Sequence, residues 1–145
     1  MSHRRSQIRD QIVALLDAIP AYTGKVFKTR LTPVSEDMLP CLCVYAMEEA
    51  SGIETLARHM NRVVTVAVDI ILASPSGLDD QGDAIALEVE KKIGANPQLA
   101  GLARDCELTG TRLSVDASGE RKHGHVVLTY QVTYRSRSDD PALEN

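Results

Sequence analysis

The sequence of 145 residues predicts an α+β domain, and three observations predict it. An amphipathic helix pattern opens the chain, a second helix pattern with charged ends follows its midpoint, and runs of β-branched or alternating residues lie on both sides of that helix. The predicted order is therefore a helix, three strands, a helix, a short helix and two strands. No long linker divides the chain, so we expect one domain over residues 1–138 and a frayed tail over residues 139–145.

The first helix is predicted over residues 6–19, because apolar residues recur there at spacings of three and four. The stripe comprises Ile8, Ile12, Leu15, Leu16 and Ile19. Pro20 marks the end of this helix. The run KVFKTRL then predicts a short strand. The run CLCVYAM is apolar on both parities and predicts a central strand, covered on both faces and entered at Pro40.

Residues 48–61 are polar and show little periodicity, so we expect a long functional or mobile loop there. The next run, residues 62–73, has the strongest strand pattern in the chain. The apolar side chains that share one face of it are Val64, Val66, Val68, Ile70 and Leu72. The opposite face, with Thr65, Ala67 and Asp69, is more polar.

The segment SPSGLDDQGDAIALEVEKKIG predicts the second helix, with Ser76 as its N-cap and Gly94 at its end. Acidic residues near the first turn and lysines near the last turn suit the helix dipole. The expected buried stripe comprises Ile85, Val89 and Ile93. A short turn or helix is predicted over residues 97–104.

The last two strands are predicted over residues 106–115 and 124–136. A change of apolar parity around Gly110 predicts a bulge in the first of them. The apolar face of the second comprises Val126, Leu128, Tyr130, Val132 and Tyr134. His123 and His125 lie on its other, wetter face.

Composition excludes several classes of function. A net charge of −4 and few aromatic residues argue against binding nucleic acid through a broad basic surface. The start of the chain is charged and no apolar run approaches the roughly 20 residues of a membrane span, so we expect a protein kept in the cytoplasm, without a membrane partner. Cys41, Cys43 and Cys106 form an odd set, which we interpret as reduced, buried thiols.

Two histidines on one strand are a second candidate for a metal site, beside the Cys41 and Cys43 pair that we interpret as buried for packing. His123 and His125 have the spacing to bind zinc, with Asp116 as a possible third ligand. The neighbouring Arg121 and Lys122 would repel a cation, so we expect no metal. The sequence contains no recognisable catalytic or phosphate-binding motif, so we also expect no cofactor and no catalytic residue. A small metal-dependent hydrolase that uses these histidines remains the alternative of a different class.

Several segments together carry a resemblance to a known family. They are IRDQIVALLDAIP, KVFKTRLTPVSEDMLPCLCVYAMEE, the Val-rich strand, DAIALEVEKKI, LTGTRLSVDASGE and GHVVLTYQVTYRS. From about residue 6 to residue 136, the chain resembles the tail terminator proteins of long-tailed phages or prophages, of the lambda minor tail protein U type. This resemblance implies a two-layer fold in which helices pack mainly on one face of a mixed five-stranded sheet.

The resemblance also implies a structural virion protein without enzymatic activity. Such a protein assembles in the bacterial host cytoplasm into a ring, usually of six subunits, that caps the head-proximal end of the tail tube, stops tube growth and offers the surface to which the head binds. The expected partners are copies of itself, the tail tube protein and a head completion or connector protein. DNA is expected to pass through the ring without specific binding. Another neck component, such as a tail completion or head-tail joining protein, is the alternative.

A closed ring of identical subunits needs two dissimilar surfaces on each subunit. The 48–61 segment is acidic at its start, and the 116–124 turn is basic, so these segments are the candidates. The residues we expect at a subunit or tube interface are Glu48, Glu49, Arg58, Arg62, Arg121 and Lys122.

Overall fold

The computed structural model describes residues 2–29, 36–56, 58–74, 77–116 and 122–142, with the backbone alone at residues 36, 116 and 122. Within these residues, two α-helices accompany one five-stranded sheet. The elements are α1 (Arg4–Asp17), β1 (Val26–Phe27), β2 (Cys41–Ile53), β3 (His59–Ser74), α2 (Leu78–Gly94), β4 (Asp105–Asp116) and β5 (Lys122–Arg137). The predicted α+β class is confirmed.

The strands lie in the order β1-β2-β3-β5-β4. β1 runs parallel to β2, and every other pair is antiparallel, so the sheet is mixed as expected. The longest ladder joins β3 to β5, from the pair His59 and Arg137 at one end to the pair Ser74 and Lys122 at the other. These two strands therefore set the length of the molecule.

Both helices contribute to one core on one face of the sheet. The predicted apolar faces of β3 and β5 and the predicted stripe of α2 are all buried, as is most of the stripe of α1. The α1 side chains with no exposed surface are Ile8, Ile12 and Leu16. Full burial of such a side chain stabilises the fold by roughly 1.5–3 kcal/mol. A smaller cluster, centred on Cys41, Cys43 and Ile71, lies on the other face, so the start of β2 is covered on both sides as predicted.

The three cysteines are buried free thiols, as expected. Burial raises the pKa of Cys106 to about 12. The pKa of Cys41 is raised by its hydrogen bond with Cys43 and by burial. Thiols with raised pKa values are poor nucleophiles at neutral pH, so these positions serve packing.

α2 crosses β5 closely at Gly82. A Cβ added at Gly82 would lie 2.8 Å from Val126 Cγ2, which is too close for two carbon atoms.

The helix α2 begins after Gly77, whose φ of 71° is left-handed, while the predicted N-cap Ser76 lies outside the described residues. Gly94 is the last helical residue, close to its predicted position. The predicted bulge in β4 is also present, between Leu108 and Gly110.

The segment over residues 97–104, predicted as a short turn or helix, is a series of turns. Leu99 and Ala100 have φ values of 48° and 58°, and Gly101 has a φ of 85°. Positive φ angles cannot continue a right-handed helix. The side chain of Leu99 is fully buried, so core packing offsets the backbone strain.

The predicted loop over residues 48–61 is also wrong. β2 continues to Ile53 and β3 begins at His59, so the two strands form a long hairpin. Most of the distal half of β2 is exposed, and a strand with water near both faces shows no apolar alternation. Cross-strand hydrogen bonds to β3, which itself pairs with β5, hold this segment as a strand.

Two further predictions concern the ends of the described segments. Of the predicted strand KVFKTRL, only Val26–Phe27 is a strand, and residues 30 and 31 lie outside the described residues. In the predicted tail, Pro141 O accepts a hydrogen bond from Arg4 N, and Ala142 is buried. The division at residue 138 stays a prediction. None of the described helices is long and apolar enough to span a membrane.

Candidate subunit-interface surfaces

A bulge in β2 places a carboxylate on the helix-covered face of the sheet. Ala46 pairs with Val66, but the register then shifts, so that Glu48 pairs with Thr65 and Glu49 pairs with Val64. Val64 and Val66 both face the core. The extra residue therefore moves Glu49 to the core face and leaves Glu48 on the opposite face, where it is exposed.

Glu49 is the centre of a cluster that joins four elements. Its Oε2 atom accepts hydrogen bonds from Arg5 Nη1 of α1 at 2.8 Å and from Arg62 Nη1 of β3 at 3.1 Å. The Tyr134 hydroxyl of β5 donates to its Oε1 atom. The side chains of Glu49 and Arg62 are only 10% and 12% exposed. We call these four residues the Glu49 cluster.

The electrostatics of the Glu49 cluster favour the ionised carboxylate. Burial tends to raise the pKa of Glu49, but hydrogen bonds from Tyr134 and Arg62 and the nearby arginine charges outweigh it, so the pKa is lowered. The pKa of Tyr134 is raised by burial and by its hydrogen bond to the carboxylate. Arg62 Nε also donates to Ser136 Oγ at 2.7 Å. The cluster thereby fixes α1 and the base of the β2–β3 hairpin.

The end of the hairpin, which we call the hairpin tip (Ile53, Glu54, Thr55, Leu56 and Arg58), projects apolar side chains into solvent. Ile53 is 67% exposed and Leu56 is fully exposed. Arg58 is also exposed and has a φ of 61°. Backbone hydrogen bonds close the turn, since Glu54 N donates to His59 O at 2.7 Å and Arg58 N donates to Thr55 O at 3.0 Å.

Two arginines attach the hairpin tip to neighbouring strands. Glu54 accepts hydrogen bonds from Arg135 Nε at 2.8 Å and from Arg104 Nη1 at 3.2 Å. Chiefly through the Arg135 hydrogen bond, the pKa of Glu54 falls to about 2. The hairpin tip and the two arginines that hold it together carry three guanidinium groups and one carboxylate.

A second exposed apolar surface lies at the opposite end of the sheet. Leu113 and Val115 of β4 are 58% and 52% exposed and share a shallow crevice with Leu78 and Asp79 of α2. We call these four residues the α2/β4 surface. Asp80, in the same helical turn as Asp79, is also exposed. Acidic residues of α2 therefore lie beside the apolar side chains of this surface.

The strand register fixes the separation of the two surfaces. Ile53 pairs with Met60 of β3, whereas Leu113 is joined through Val126 to Ile70 of the same strand. At roughly 3.3 Å per residue, Met60 and Ile70 are about 33 Å apart along β3. The hairpin tip and the α2/β4 surface therefore cannot contact each other within one subunit.

The structure separates the six residues that the sequence grouped as interface candidates. Glu48 and Arg58 are exposed, while Glu49 and Arg62 form an ion pair inside the Glu49 cluster. Lys122 begins β5, and Arg121 lies outside the described residues. Glu49 and Arg62 are held close together by the pairing of β2 with β3, and not by a mobile loop.

The two histidines occupy the strand face that the sequence predicts. His125 Nδ1 lies 3.0 Å from Oδ1 of Asp69, a buried carboxylate on the neighbouring strand. His123 pairs with Asp116 across the β4–β5 ladder. Among the described residues, no group of three or more His, Cys, Asp or Glu side chains is placed to hold a metal ion.

Sequence reasoning missed Arg5 and Tyr134 as partners of Glu49, because these residues are separated by 44 and 85 positions from it. One signal could have revealed the hairpin. The predicted final strand reaches residue 136, and the register pairs Ser136 with Met60, so its antiparallel partner begins before the predicted start at residue 62.

Comparison with known proteins identifies the family of this chain. The family model described as phage minor tail protein U matches residues 3–134, nearly the whole chain. A search of curated proteins finds no match. The matched region contains both helices, the hairpin tip, the α2/β4 surface and all of the sheet except the last three residues of β5. This chain belongs to the phage minor tail protein U family and is a structural component of the phage tail.

Proposed function

We propose that this chain is the tail terminator, which forms a ring on the head-proximal end of the tail tube, stops tube polymerisation and presents the surface that joins the head. The observation that supports this proposal most is the family match over nearly the full chain. Its partners would be other copies of itself, expected to number six in the ring, the tail tube protein and a head completion or connector protein.

The surfaces of the subunit suit such a ring. A ring of identical subunits closes through heterologous contacts, in which one surface meets a different surface on the next subunit. The chain carries two exposed apolar surfaces at opposite ends of its sheet, one with Arg58 and the other with Asp79. Among the six sequence candidates, Glu48 and Arg58 are exposed and suited to direct contacts, whereas Glu49 and Arg62 would act by holding the hairpin in place.

We further infer that the protein works through shape and charge, without catalysis, and that DNA crosses the ring without specific binding. The net charge of −4 supports weak interaction with a polyanion. Assembly would take place in the host cytoplasm, and the mature protein would lie at the head-tail junction of the virion.

Deletion of the gene tests the proposal directly. The expected result is tails of uncontrolled length that fail to join heads, measured by electron microscopy of lysates, with the wild-type gene on a plasmid as the control. Normal infectious particles from the deletion strain would refute the terminator role. Tails of normal length that lack heads would instead identify another neck component, such as a tail completion or head-tail joining protein.

A further inference from the structure

The hairpin tip and the α2/β4 surface are complementary in chemistry. The hairpin tip offers the exposed side chains of Ile53 and Leu56 beside Arg58. The α2/β4 surface offers exposed Leu113 and Val115 beside the carboxylate of Asp79. Exposed apolar groups rimmed by charge are typical of protein interaction sites.

Charge selects the pairing between these surfaces. Two hairpin tips would place one Arg58 near another, and two α2/β4 surfaces would bring Asp79 and Asp80 near the same carboxylates of a second copy. Either self-pairing juxtaposes like charges, which is unfavourable. Contact between a hairpin tip and an α2/β4 surface instead brings the guanidinium to the carboxylates.

We propose that the hairpin tip of one subunit packs against the α2/β4 surface of the next copy, with Leu56 on Leu113 and Val115 and with Arg58 facing Asp79 and Asp80. Because the two surfaces lie at opposite ends of β3, each contact leaves one free surface of each kind. Repeating the contact therefore adds one copy after another. The row of copies closes into a ring when the rotation between neighbouring copies permits. This inference rests on the proposed ring and names the contact that builds it.

Site-directed cross-linking tests the contact. Purified Leu56→Cys and Val115→Cys variants are mixed and treated with a short bismaleimide. Both replaced side chains are more than half exposed, and the native cysteines are buried, so folding and background reaction should change little. We expect a covalent dimer in the mixture, and a ladder ending in a closed species for the doubly substituted chain.

The matched control replaces an exposed leucine outside both surfaces. Leu87 of α2 is 53% exposed, similar to Val115, so the Leu87→Cys variant should give no more product with Leu56→Cys than the wild-type background. Equal yields with the two partners would overturn the proposal. Links in the Leu56→Cys variant alone would show that hairpin tips meet each other, and a lack of any 56–115 link would likewise refute the contact.

A charge reversal provides a second test on the same cross-link. Arg58→Glu places like charges in the contact and should lower the yield of the 56–115 link about tenfold, and Asp79→Arg with Asp80→Arg in the partner should restore it. An unchanged yield in Arg58→Glu would exclude the charge pairing.

Tube binding separates this inference from the proposed function. If the 56–115 link forms but purified tail tubes are not capped, the contact stands and the terminator role fails. If tubes are capped while the link is absent, the role stands and the contact fails. Links from Leu56→Cys to the tube protein alone would reassign the hairpin tip to the tube.

Discussion

The base of the β2–β3 hairpin, at Glu49 and Arg62, and the hairpin tip look alike in sequence and behave differently in the structure. Both are polar and charged, yet the base holds the nearly buried ion pair of Glu49 and Arg62, whereas the hairpin tip carries fully exposed Leu56. The difference teaches that charge in a sequence does not mark the contact surface. Here a charged pair builds the support, and an apolar side chain is presented to solvent.

The physical reason lies in what surrounds the base of the hairpin and what surrounds the hairpin tip. Near Glu49, α1 and β5 supply Arg5 and Tyr134, so the carboxylate exchanges water for charge-assisted hydrogen bonds. At the hairpin tip, the sheet extends beyond both helices and nothing in the described part of the subunit covers Leu56. A rigid base thus carries an end whose apolar surface is free for another chain.

The largest effect should come from Glu49→Ala, which leaves Arg62 nearly buried without its carboxylate. Loss of one partner from such a pair should lower the free energy of unfolding by about 3 kcal/mol, measured by urea denaturation. Glu48→Ala is the matched control, because Glu48 is the exposed neighbour, and should change stability by less than about 0.5 kcal/mol. Equal effects would show that the two glutamates are equivalent.

Tyr134→Phe should have the next largest effect, because it removes the hydroxyl that donates to Glu49. A hydrogen bond to a charged group contributes about 2 kcal/mol, so the variant should lose a similar amount. Tyr130→Phe is the control: the Tyr130 hydroxyl is buried and has no hydrogen-bond partner in the described structure. Its removal should be neutral or slightly stabilising. A larger loss in Tyr130→Phe would contradict this ranking.

Acidification should weaken the base of the hairpin. Because the pKa of Glu49 is lower in the folded state, its contribution is present above its unfolded pKa of about 4.3 and is lost as pH falls through the folded pKa. The stability gap between wild type and Glu49→Gln, measured by urea denaturation, should therefore be constant near neutral pH and shrink below about pH 4. A gap that widens on acidification would reverse the assigned direction.

Leu56→Ser should have the smallest effect on stability. The side chain is fully exposed, so the free energy of unfolding should change by less than about 0.5 kcal/mol. The same variant should nevertheless assemble poorly, which analytical ultracentrifugation or tube-capping microscopy would detect. Normal assembly by a folded Leu56→Ser protein would limit the importance of the hairpin tip.

Particular segments show how far the sequence could be read. The stripes of both helices and the apolar faces of β3 and β5 follow from periodicity, because their apolar side chains recur at the helix or strand period and pack on one core. Of the turn or helix expected over residues 97–104, the helix alternative fails because Leu99 is buried at a positive φ. Helix periodicity carries no information about such a backbone reversal.

The candidate surfaces were only partly accessible from the sequence. Arg58 was selected as a charged candidate. Leu113 and Val115 were not selected, since an apolar residue in a strand pattern is normally assigned to the core, and Leu56 is an isolated apolar residue in a polar predicted loop. Whether such a residue is covered depends on where the helices end over the sheet. That is a property of packing in three dimensions.

The sequence by itself determined the family, the α+β class, the order of strands and helices along most of the chain, and the buried face of each long element. The class, the order of elements and the buried faces depend on local periodicity. The family depends on the residue pattern along the whole chain. Only the tertiary structure decided that residues 48–53 form a strand, that Glu49 turns toward α1, and that two apolar surfaces lie at opposite ends of the sheet. The reason is that partners such as Arg5 and Tyr134 lie far from Glu49 along the chain, and only folding brings them within hydrogen-bonding distance.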